Sequence, residues 1–110
     1  METKIKEYLI EKIKNMPCST NFKTVSVRYY IKNSTGLHIL IVSPASLLEC
    51  SDEFCDWEND LYDEFFERFP NQDVLVTDYY DLQRGCNKIY ETCRNCIYES
   101  VHKEKELLMQ

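Results

Sequence analysis

The run LHILIV, residues 37–42, is apolar at almost every position, and it restricts the fold more tightly than any other segment. Side chains of a strand point alternately to opposite faces, so a strand apolar at both parities needs cover on both sides and a place inside a sheet. The segment before it, FKTVSVRYYIK, behaves differently. There Val25, Val27, Tyr29 and Ile31 alternate with Thr24, Ser26, Arg28 and Tyr30, which reads as a strand with one apolar and one mixed face. Between the two lies Asn33-Ser-Thr-Gly36, where Gly36 is free to take positive φ. An antiparallel hairpin is the expected result.

The flanking segments carry the other period. Ile5, Leu9, Ile13 and Met16 recur at helical spacing, predicting a helix over residues 3–15 that Pro17 closes. Ser43-Pro44 and Ser51 are both start signals for a second helix. Over residues 51–69, Phe54, Trp57, Leu61, Phe65 and Phe69 form an apolar stripe ended by Pro70. Asp56, Asp60, Asp63 and Glu67 fall on the opposite side. Asp73-Val-Leu-Val-Thr77 reads as a third strand, parallel to the second through a right-handed crossover. After a turn over residues 78–85, a last helix is predicted over residues 87–108.

The expected fold is therefore a single α+β domain spanning residues 1–110, of order α-β-β-α-β-α, with a three-stranded mixed sheet packed against helices. This order resembles the BolA-like and type II KH-like folds. The Gly-x-x-Gly loop with which KH domains grip nucleic acid has no counterpart, because Gly36 and Gly85 are the only glycines. The histidine-bearing segment that follows the third strand in BolA proteins is also missing, so no function is carried over from either.

Charge narrows the partners. The net charge is −6, with seven Lys/Arg against three Glu in residues 1–32, and nine Asp/Glu with no Lys or Arg in residues 33–67. Neutralising phosphates requires a cationic surface, so this balance argues against direct nucleic-acid binding. The N-terminal METKIKEYLIEKIKNM lacks the apolar core of a signal peptide, and LHILIV is too short to span a bilayer. These features lead to the expectation of a cytoplasmic protein with reduced thiols and no membrane association.

Three of the six cysteines lie in CNKIYETCRNC, residues 86–96. On a helix turning 100° per residue, Cys93 falls about 20° and Cys96 about 80° from Cys86, all on the side expected to pack on the sheet. Free cysteine behaves as a small hydrophobe, so core packing accounts for the pattern. Cys93 and Cys96 could share a metal ion only with two further donors, for which Cys50, Cys55, His38 and His102 are the candidates. A thioredoxin-like thiol would need to stand at a helix N-terminus soon after a strand, and this one does not. His38 reads as a hydrogen-bonded sheet residue and His102 as a solvated one.

Two surfaces remain as candidates. The carboxylates Asp56, Asp60, Asp63 and Glu67 would dock a basic partner. A three-stranded sheet is about 14 Å wide and two helices of about 10 Å fill one side of it, so the second face must be covered by the third helix or by another molecule. Arg28, Tyr30, Leu40 and Val42 are expected to line that face, and Tyr and Arg are frequent interface anchors. No catalytic residue or cofactor is expected. The leading expectation is a non-catalytic protein-interaction domain, acting through the acidic helix or as a sheet-mediated homodimer. The alternative is a metal-binding or thiol-dependent protein using Cys93 and Cys96.

Overall fold

The computed structural model describes residues 2–18 and 22–96. Helix α1 (Glu2–Lys14) leads into the hairpin of β1 (Thr24–Lys32) and β2 (His38–Ser43). A single-turn helix α2 (Leu47–Cys50) precedes α3 (Asp52–Arg68), then β3 (Val74–Thr77), a 3-10 turn (Tyr80–Gln83) and β4 (Cys86–Asn95). Ser51 breaks α2 from α3 and caps the latter, its side chain accepting the Phe54 N–H at 3.3 Å. Gly36, with φ 77°, closes the β1–β2 turn. Gly85, with φ 70°, links the 3-10 turn to β4.

The sheet has four strands in the order β3-β2-β1-β4. β1 is antiparallel to β2 and to β4, and β2 is parallel to β3, as the crossover through α3 requires. Against the expectation of three strands and a last helix over residues 87–108, Cys86–Asn95 is a strand; residues 97–108, with His102, lie outside the described residues. Two forces outweigh the helical spacing of the cysteines. Ile89, Tyr90, Thr92 and Cys93 have side chains better suited to a pleated surface than to a helix. The outer edge of β1 also presents a row of backbone donors and acceptors that a fourth strand satisfies and a helix cannot.

One face of the sheet carries the main core. Ile5, Leu9, Ile13 and Met16 of the α1 segment and Phe54, Trp57, Leu61 and Phe65 of α3 are all buried against Val25, Val27, Tyr29, Leu40, Val42, Val74 and Val76. The two helices run antiparallel: Trp57 donates its indole N–H to the Lys12 carbonyl at 3.0 Å, while Tyr8 meets Phe65 and Phe69 with ring centroids 6.2 and 5.9 Å away. Arg94 of β4 donates to the Met16 carbonyl just beyond α1, tying the fourth strand to the first helix.

The register corrects the expected lining of the second face. Tyr29 lies opposite Leu40 and Val27 opposite Val42, so Leu40 and Val42 belong to the main core. Ile39 and Ile41 pair with Tyr30 and Arg28 and form a second, smaller cluster with Tyr30 on the other side. The turn sets this parity: the Lys32 N–H donates to the Leu37 carbonyl at 2.9 Å, and counting outward from that pair brings residue 39, not 40, across from Tyr30. A one-residue change of register would reverse every side chain. No third helix covers this face among the described residues. The 3-10 turn reaches across it instead: Tyr30 Oη donates to Gln83 Oε1 at 3.1 Å, and the hydroxyls of Ser43 and Tyr80 meet at 2.9 Å.

Leu61 has no solvent exposure and stands between α3 and the sheet. Leu61→Ala is expected to lower stability by about 2–5 kcal/mol through lost burial and the cavity left behind, read as a fall in the urea midpoint with unchanged far-UV circular dichroism at zero denaturant.

Candidate functional site

The outward face of α3 is set by its spacing. Residues 56, 60, 63 and 67 recur at intervals of four, three and four, so Asp56, Asp60, Asp63 and Glu67 share one side, and all four are exposed. No ion pair involves any of them among the described residues. The cations nearby are engaged elsewhere: Lys12 Nζ and Arg68 Nη2 each lie 3.4 Å from the Glu64 carboxylate. Beside the row stands Phe66, 43% exposed and stacked on Tyr62 at 6.1 Å with a 7° interplanar angle. Phe66 falls one residue off the apolar stripe through Phe65, and that offset is its signal in the sequence.

Helix electrostatics oppose part of this arrangement. Asp52 and Glu53 occupy the first turn of α3, where negative charge complements the helix dipole. Glu67 lies in the last turn and Asp63 just before it, where the dipole is unfavourable to carboxylates. Asp56 with Asp60, and Asp63 with Glu67, are also like-charged pairs four apart, each costing an isolated helix about 0.2–0.5 kcal/mol. Folding alone does not call for charges in these places.

The second sheet face carries Arg28 and Tyr30, both engaged within the chain. Arg28 Nε lies 3.2 Å from Glu91 Oε2, and Lys88 Nζ lies 2.8 Å from Glu91 Oε1. The Lys88 ammonium, supported by Arg28, holds the Glu91 carboxyl below its usual range. Tyr30 is buried and bonded to Gln83.

The thiols do not form the single packed stripe expected of a helix. Cys93 is exposed, Cys86 is half-buried and Cys96 is buried in the main core. Cys93 pairs with Ser26 on the second face, while Cys96, one residue past the end of β4, is buried in the main core. The structure therefore does not bring Cys93 and Cys96 together. Among the described residues no three His, Cys, Asp or Glu side chains converge closely enough to hold a metal ion. Burial and the neighbouring carboxylates Glu58, Asp52 and Asp56 push the Cys55 thiol up, and Cys55 Sγ donates to the Leu48 carbonyl. That environment disfavours a reactive thiolate.

A groove of about 860 Å³ runs between α1 and α3. Tyr8 forms its floor, with Lys12 and Arg68 over the ring at 5.7 and 5.2 Å. Burial, then the nearby Glu64 charge, push the Tyr8 hydroxyl up to about 12. Lys12 and Arg68 both pair with Glu64 in this groove, which braces the two helices against each other.

His38 is buried, with Nδ1 2.6 Å from the Tyr29 hydroxyl. Burial pushes the Tyr29 phenol up, so that hydroxyl stays protonated beside the ring. Burial also holds the imidazole below its ordinary 6.5, with Glu2 opposing and Lys6 adding to the effect. A proton bound at low pH therefore favours the unfolded chain. Stability is expected to be unaffected by His38 above about pH 6.5 and to fall as pH drops below it; urea midpoints at a series of pH values, against His38→Phe, isolate this contribution.

Among the described residues, no helix is long and apolar enough to cross a membrane. The chain matches no protein-family model, no curated protein and no solved structure in comparisons with each.

Proposed function

We propose that this chain is a non-catalytic interaction domain that docks a basic protein surface through the outward face of α3. The observation that carries this reading is the row Asp56, Asp60, Asp63 and Glu67, exposed and without an ion pair among the described residues. Part of the row sits at the helix end where the dipole opposes it. Such a row steers and orients a cationic partner, and Phe66 at its border supplies an apolar contact of the kind that anchors an interface. A sheet-mediated homodimer through Arg28 and Tyr30 has less support, because both side chains already have partners inside the chain. A thiol or metal function through Cys93 and Cys96 has less again, because they face opposite sides of the sheet.

The combined variant Asp56→Asn, Asp60→Asn, Asp63→Asn, Glu67→Gln is expected to separate stability from function. Removing mutual repulsion and two charges that oppose the dipole should leave the fold as stable as the parent or about 0.5–1 kcal/mol more stable. Affinity for the partner recovered at low salt should fall about tenfold or more, and binding by the parent should weaken as ionic strength rises above about 0.1 M. Calorimetric melting and titration of the purified complex measure the two. A variant that binds as tightly as the parent, or parental binding indifferent to salt, removes the acidic face from consideration.

A further inference from the structure

We propose that the chain pairs with a second copy of itself along the outer edge of β4, antiparallel and with the two β-bulges facing each other. The sheet has two edges, and they are treated differently. At β3, the Tyr62 hydroxyl accepts the outward Val76 N–H at 2.8 Å and lies 3.5 Å from the Val76 carbonyl, so this four-residue edge is capped at Val76 from within the chain. At β4 a ten-residue edge has β1 on one side and no strand on the other among the described residues. A strand edge of that length is a template for another strand.

The register is dictated by parity. Cys86, Lys88, Glu91 and Cys93 lie opposite Lys32, Tyr30, Arg28 and Ser26, partners spaced by two. These four therefore share one sheet face and one backbone direction. Asn87, Tyr90 and Thr92 lie opposite Ile31, Tyr29 and Val27 and share the other. Ile89 is the extra residue at the register shift, and with Tyr90 it packs toward the main core. In an unbroken strand Lys88 and Glu91, three apart, would face opposite ways; the bulge puts them on one face.

Across a two-fold axis, opposed residues must match in face and direction. Setting bulge against bulge does this from 86 to 93: Lys88 meets Glu91 of the second copy, Ile89 meets Tyr90, Asn87 meets Thr92 and Cys86 meets Cys93, each contact occurring twice. Sliding one strand by a single residue puts Lys88 opposite Tyr90 or Thr92, and the faces no longer agree. The matched register is also the charge-complementary one. Lys88 and Glu91 meet at 2.8 Å within each chain, so pairing extends them into a row of alternating charge. Two four-stranded sheets become continuous, with the acidic face of α3 left free, since α1 is the helix that neighbours β4 and α3 the one that neighbours β3.

Sedimentation of the parent should show a dimer that dissociates on dilution. Opposed residues on neighbouring antiparallel strands have Cα atoms about 4.5–5.5 Å apart, a span a disulfide can bridge. Diamide, which takes up the two electrons and two protons of a thiol pair, should therefore link Cys86 of one copy to Cys93 of the other, identified by peptide mass mapping. Lys88→Glu and Glu91→Lys should each weaken self-association about tenfold or more. Mixing the two variants should restore it, because the opposed charges are then complementary at both positions. A parent that is monomeric at every concentration, a mixture of folded variants that fails to associate, or oxidation that bypasses the Cys86–Cys93 pair overturns the proposal.

Discussion

Strand β2 has no side that can face water, and the architecture is built around that constraint. Leu40 and Val42 require the two-helix layer on one face, while Ile39 and Ile41 require cover on the other, which Tyr30 and the 3-10 turn provide. The strand must then be flanked on both edges. β1 arrives by a tight turn, and β3 arrives parallel through a crossover long enough to carry α3. The two long helices each take about half of the covered face and meet along Tyr8, Phe65 and Phe69.

Placing both helices on one face separates the chemistry of the surface. The main core claims every large apolar residue of α3 except Phe66, so the rest of that helix is free to carry charge. The Lys12–Glu64–Arg68 network engages two cations of the helix seam, and no ion pair involves the acidic row among the described residues. On the opposite side of the sheet the charges of β4 and β1 answer one another through Glu91. One surface is electrostatically open and the other is closed except along its strand edge.

Much of this architecture is legible in the residues. Both long helices, the hairpin and β3 arise from apolar spacing and from the turn and cap residues Gly36 and Ser51. The acidic row is a direct consequence of helical periodicity, so Asp56, Asp60, Asp63 and Glu67 appear where their spacing puts them. The face assignment of Leu40 and Val42 fails because a strand apolar at both parities gives no signal of which side is which. CNKIYETCRN misleads for a related reason: its cysteines recur at a helical interval, while its strand pattern is broken by the extra residue Ile89, so neither period is clean over the segment.

The sequence by itself determined which segments must be buried, where the chain turns and which helix face is charged, because these depend on contacts within a few residues. Tertiary structure alone decided that residues 86–95 are a strand, that Ile39 and Ile41 face away from the helices, and that Cys93 and Cys96 point apart. Those outcomes depend on the unmet hydrogen bonds of β1, on a register between strands and on a bulge. Each is a relation between distant segments that no local pattern encodes.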